Sequence, residues 1–149
     1  MEMRLEQPQQ PLLDLAVCFR GMYLYSVQAH QLASKSTFIQ DHEFLADIYS
    51  FAESSYDRLV ERHIGTVSSS GVDFISLTNK SVDKVKSLKQ IVSENKEYFE
   101  EILRFSTYIL QELNKVAKSP SISVGTQNMI ADIADQLEVL RYKIKRRIS

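Results

Sequence analysis

Two imidazoles and two carboxylates in this chain are spaced so that they could share a metal ion: His30, His42, Asp57 and Glu61. They fall in one stretch, HQLASKSTFIQDHEFLADIYSFAESSYDRLVE, whose only polar break is Ser34-Lys35-Ser36-Thr37. If that break is a turn between antiparallel helices, His30 lies six residues before Ser36 and His42 six after it, at the same height on facing helices. Asp57 and Glu61 are spaced i, i+4, which puts both carboxylates on one face of the second helix. Mixed imidazole and carboxylate donors suit iron, with zinc as a further candidate occupant, better than magnesium or calcium. Redox chemistry at such a site would require iron with open coordination positions.

Fifteen residues of helix separate His42 from Asp57, about 22 Å at roughly 1.5 Å per residue. One chain therefore cannot bring all four groups to one ion. A second copy running antiparallel across a two-fold axis can, by offering its own Asp57 and Glu61 to the first copy's histidines. Taken singly, each residue has a plainer reading: a polar histidine in a helical hairpin, or a carboxylate paired with Arg58 or Arg62. The constellation carries the metal site, not any one member. A site made within one bundle by Glu-x-x-His motifs is not expected, because the nearest approach to that motif, Glu61-Arg62-His63, has the wrong spacing. His63 itself reads as structural or solvated.

The elements that must hold these groups are helical. Of 149 residues, 44% are hydrophobic and 25% charged, the balance of a globular domain, and the chain is long enough to bury a core without a staple. Only 4 Gly and 3 Pro occur, and Pro8, Pro11 and Pro120 fall near expected boundaries, which favours long helices over many-turned strands. The single Cys18 leaves no internal disulfide, so a reducing compartment is the simpler reading. No apolar run approaches the roughly 20 residues of a membrane span, and MEMRLEQPQQP has no signal-peptide core, so the expected location is cytoplasmic. The net charge of −1 argues against a strongly nucleic-acid-seeking domain as a whole.

In chain order, residues 1–10 predict a flexible arm and 11–149 one domain. Helical spacing of Leu12, Leu15, Phe19, Met22, Tyr23, Val27 and His30 predicts a first helix from Pro11 to Ala33. A second, capped by Thr37 or Ser36, runs to His63, with Gly65 as a left-handed terminator. A long connection follows, flexible at Ser68-Ser69-Ser70-Gly71, with Val72 to Leu77 as a short helix lying over the bundle or at a subunit contact. The third long helix starts at Ser81 or at Ser87, the latter with Gln90 at the capping-box position, and carries Ile91, Tyr98, Ile102, Phe105, Ile109 and Leu113 to Lys118-Ser119-Pro120. The last begins near Gly125-Thr126 and ends in the basic run Arg141 to Arg147. The predicted fold is all-α: a four-helix bundle whose long second-to-third connection permits the crossover topology of ferritin-like folds.

The run His30, His42, Tyr49, Asp57 and Glu61-Arg62 resembles the motif of Dps, the mini-ferritins that protect DNA during starvation. A second stretch, Val124-Gly125-Thr126-Gln127-Asn128-Met129-Ile130 leading into Gln136-Leu137-Glu138, looks like the start of that family's last helix. The resemblance implies a hollow dodecamer in which Fe(II) is oxidised, preferentially by hydrogen peroxide, and stored as a ferric mineral. It also implies an oxidation centre at the dimer interface, with His30 facing the partner's Asp57 and Glu61 and His42 helping to hold the second metal or its water.

Several positions depart from that pattern. The carboxylate that usually follows the second histidine by four residues is Ala46; Asp47 points roughly 140° away around the helix and cannot substitute. The usual tryptophan after the first histidine is Gln31, the late aromatic is Tyr142, and positions that commonly place aspartates around the iron-entry pore read Ser123 and Asn128, with Asp132 and Asp135 nearby. The arm has only Arg4 and no lysine, unlike the lysine-rich tails that bind DNA in some Dps proteins, so DNA is a candidate partner only through the basic end, Arg141 to Arg147. The alternative function is a structural or nucleic-acid-associated shell with a degenerate ferroxidase site, and beyond that an unrelated helical adaptor.

Overall fold

A computed structural model describes residues 10–66 and 71–149. The expectations for a flexible arm at residues 1–9 and for Ser68-Ser69-Ser70 lie outside these residues. The described residues form five helices and no strand: α1 (Pro11–Leu32), α2 (Phe38–Thr66), α3 (Phe74–Val85), α4 (Asn95–Ala117) and α5 (Val124–Ile148). Four are long, and α3 is the short helix of the crossover.

Hydrogen bonds fix the topology. The turn after α1 reverses the chain through Lys35, which sits at φ 70, a left-handed conformation uncommon outside glycine. The Asn95 side chain clasps this turn, accepting from Ser34 N at 3.0 Å and donating to Ser34 O at 2.7 Å. Lys35 Nζ adds bonds to Ser93 O at 2.9 Å and Glu94 Oε1 at 2.8 Å. So α4 starts at the end of the bundle where α2 starts, and the two run parallel. α5 returns to the same end, where Arg147 reaches Asp41 in the first turn of α2. The crossover must therefore travel the length of the bundle, and it does so along α1: Phe74 lies by Arg20, Tyr25 Oη donates to Lys89 O, and Gln28 donates to Gln90 O. This is the ferritin-like arrangement.

Gly21 makes the close approach of α3 possible. A Cβ there would stand 3.2 Å from Ser81 O and 3.1 Å from Val85 Cγ1. The core behind it is formed by Phe19 and Met22 of α1, Leu45 and Ile48 of α2, Phe99 and Ile109 of α4, and Ile133 of α5, each no more than 1% exposed. Burying side chains of this size stabilises by about 1.5–3 kcal/mol each.

Three boundaries differ from the sequence reading. α2 continues through Gly65 to Thr66; no described glycine has positive φ. Ser81 is buried inside α3, bonded to Leu77 O, instead of starting a helix. Ser87-to-Gln90 is not a start either. Gln90 Nε2 donates back to Val85 O, a carbonyl that the end of α3 leaves open, and to Leu88 O in the turn that follows. α4 instead starts at Asn95, where the Glu97 carboxylate accepts from Ser93 N and Glu94 N. Ile91 consequently lies outside the helix, 83% exposed.

Candidate metal site at the helical hairpin

The turn between α1 and α2 brings His30 and His42 into direct contact. Their rings stack with centroids 3.5 Å apart and planes 20° from parallel. His30 Nδ1 bonds His42 O at 2.6 Å, and His42 Nδ1 bonds His30 O at 2.9 Å. A carbonyl oxygen only accepts, so each Nδ1 must carry the proton. In the neutral rings Nε2 then holds the lone pair, the tautomer and orientation that a metal-ligating histidine needs. Tyr49 packs edge-on against His30 at 5.2 Å, and Phe38 tilts against His42 at 4.9 Å. Beside them Leu32, Phe38 and Ile39 are exposed, at 46%, 39% and 67%.

If a metal binds here, His30 and His42 would each offer it an imidazole nitrogen.

Asp57 and Glu61 are exposed on α2, which runs unbroken past both. Asp57 remains about four turns from His42 and Glu61 about five, roughly 22 and 28 Å along the axis. Among the described residues, no three His, Cys, Asp or Glu side chains of one protomer gather as a ligand set. Ala46 is half-buried and Asp47 exposed. Cys18 offers no competing chemistry, because burial pushes its thiol up to about 11 and leaves it protonated.

Sequence reasoning missed the network that holds the hairpin's base. Asp41 is 1% exposed and accepts from Arg147 Nε at 2.7 Å, Arg147 NH2 at 2.8 Å, Thr37 Oγ1 at 2.6 Å and Asn95 Nδ2 at 3.0 Å. Burial alone would raise its carboxyl pKa, but the bonds from Arg147, Thr37 and Asn95 outweigh it and hold the group below the usual carboxylate range. A signal existed: Asp41 falls on the same helical stripe as Phe38, Leu45 and Ile48. A carboxylate on a buried stripe needs a buried partner.

That partner comes from the basic end of α5. Arg147 is spent on Asp41, and Arg141 donates to Leu103 O, Ser106 Oγ and Thr107 Oγ1 of α4. Lys143, Lys145 and Arg146 stay exposed. At the far end Ser123 caps α5 through Thr126 N, and Asp132 accepts from Arg58 at 2.8 Å and from Gln136 at 2.9 Å. His63 is buried, 2% exposed.

No family model matches the sequence, and no curated protein matches it. Among solved structures, the chain is similar to a point variant of Dps1 from Mycobacterium smegmatis, with a TM-score of 0.75 over 93% of each chain and 13% sequence identity. At that identity the likeness is one of fold: a Dps-like, ferritin-type helical bundle.

Proposed function

We propose that this chain forms a Dps-like shell, of about twelve subunits built from two-fold dimers, that oxidises Fe(II) at sites shared between dimer mates and stores the product, protecting against oxidative damage. Iron is the substrate, hydrogen peroxide the preferred oxidant, and zinc an alternative occupant. The observation that carries the reading is the stacked histidine pair. Both Nδ1 atoms are engaged on carbonyls and both Nε2 atoms are left for ligation, beside exposed apolar side chains and with the matching acids on the same hairpin about 22 to 28 Å away. A mate lying antiparallel supplies the partner's Asp57 and Glu61 to His30, and His42 holds the second position or its water.

Anaerobic Fe(II) titration followed by peroxide tests this. Ferric absorbance should develop in the wild type and be lost in His30→Ala and Glu61→Ala; equal absorbance in all three removes the assignment.

The second reading is a structural or nucleic-acid-associated shell whose oxidation site has degenerated, and Ala46 favours it. Restoring the carboxylate separates the two. If only the second position is weakened, Ala46→Asp raises the oxidation rate at least tenfold, the equivalent of about 1.4 kcal/mol of barrier. No change would leave the shell without this chemistry. DNA contact through the basic end would rest on Lys143, Lys145 and Arg146, because Arg141 and Arg147 are bonded inside the bundle.

A further inference from the structure

Beside the close contact at Gly21, a cleft of about 800 Å³ opens between the first two turns of α1, the middle of α3 and the last turns of α4. Its size is that of a small-molecule site. Leu15, Val17 and Cys18, all buried, form an apolar floor with Val116, and burial keeps the Cys18 thiol protonated, so the floor carries no charge. Charge is confined to the rim. Lys80 and Lys84 stand one turn apart on α3, which sets both ammoniums on the same side of the cleft. Tyr108 fixes one of them: Lys84 Nζ donates to its hydroxyl at 3.0 Å, and that bond holds the Lys84 pKa above the ordinary lysine value. Two of the three ammonium protons are left for a ligand.

We propose that this cleft binds an organic monocarboxylate, with its carboxylate between Lys80 and Lys84 and its apolar body on the floor of Leu15, Val17, Cys18 and Val116. The balance of charge selects the anion. Two of the lining carboxylates are already satisfied, Asp83 by Lys86 at 3.1 Å and Glu112 by Lys115 at 3.0 Å. Among the described residues, Lys80, Lys84 and Asp14 are the charged lining groups outside any ion pair, which leaves one positive charge in excess. A monoanion cancels it. A dianion such as a phosphate ester would overshoot beside Asp14, and a neutral ligand would leave two like charges facing each other across one turn of α3, an unfavourable pair.

The cleft is separate from the iron chemistry proposed above. Cys18 precedes His30 by twelve residues, about 18 Å along α1. The cleft lies where α1 meets α3 and α4, whereas the histidines and acids lie on the α1–α2 hairpin. A bound acid would touch α1, α3 and α4 at once and so fasten the crossover to the bundle. Because it binds only the folded chain, it stabilises that chain by mass action. Fatty acids and aryl acids share the required chemistry, a single carboxylate on an apolar body.

Calorimetric titration of the metal-free, full-length protein tests this, with decanoate as the fatty acid, 2-naphthoate as the aryl acid, and decanamide and 2-naphthamide as their uncharged counterparts. At least one acid should bind saturably and raise the melting temperature while its amide does neither, and the tighter of the two acids identifies the source. Lys80→Gln and Lys84→Gln, both at exposed positions, should keep the fold by circular dichroism and each weaken that acid about fivefold, whereas Lys143→Gln on α5 should leave it unchanged. Val116→Phe, which fills the floor, should weaken it as well. His30→Ala should bind the acid as the wild type does, so failure of the iron site and failure of this one are read separately. Amides that bind as tightly as the acids overturn the proposal. So does undiminished binding by a variant carrying both Lys80→Gln and Lys84→Gln, and so does the absence of saturable binding of either acid.

Discussion

A metal-ligating histidine almost always has its other nitrogen held, and here each imidazole's Nδ1 is held by the other residue's backbone carbonyl. Asp41, in the first turn of the same helix, plays the opposite part: it is fully bonded, and its work is structural. Because its folded pKa is depressed, the stability it contributes is complete above the ordinary carboxylate value near 3.9 and is lost as pH falls through the lower folded value. Removing one partner of so buried a pair costs about 3 kcal/mol. Asp41→Asn should lose about that much at pH 7 and show a smaller drop below about pH 4 than the wild type, since the linkage is gone. Urea denaturation at both pH values measures this; equal acid sensitivity would mean that Asp41 is not the titrating group. The sequence made the histidine pair legible because the turn is short and the spacing symmetric about it. It left Asp41 unread because its partners lie 54 and 106 residues away, where helical periodicity gives no information.

At the scale of elements, the hairpin's geometry depends on a side chain outside it. Asn95, at the start of α4, bonds both backbone groups of Ser34 and one oxygen of Asp41, and so pins the turn on which the histidines' equal height depends. Replacing it with alanine removes three hydrogen bonds around the turn, each contributing about 0.5–1.5 kcal/mol. Asn95→Ala should therefore both destabilise the bundle and weaken Fe(II) binding, whereas Lys143→Ala on the exposed face of α5 should do neither. Calorimetric Fe(II) titration of the folded variants checks it, and unchanged affinity in Asn95→Ala would show that the stacked pair holds itself. The helices were readable from apolar spacing almost throughout. The helix bounds inside the crossover were not: Val85, Leu88, Ile91 and Val92 continue a plausible stripe, and only the hydrogen bonds of Gln90 and Glu97 decide that one helix ends and another begins within it.

For the whole molecule, the four-helix crossover fold was legible because few glycines and prolines interrupt long amphipathic runs and one long connection separates the halves. The fold sets the distance that governs everything above it. α2 is an unbroken 29-residue helix, and it holds the imidazoles and the acids apart as firmly as the turn holds the imidazoles together. On the proposed reading a protomer is two half-sites joined by a rigid rod, and function belongs to the pair. A single chain's sequence could state that requirement through helix rise alone, but it could not display the partner.

The most direct test of that claim mixes two disabled chains. One carries His30→Ala and His42→Ala, the other Asp57→Ala and Glu61→Ala; each is inactive alone, since every site in its homodimer lacks one half. Unfolded together and reassembled, mixed dimers should contain one whole site, made from the second chain's histidines and the first chain's acids, and Fe(II) binding and oxidation should return to roughly a quarter of wild-type capacity for random pairing. If the mixture binds and oxidises no more iron than the separate variants, although mixed dimers are present, the ligands are not shared between mates and the account fails.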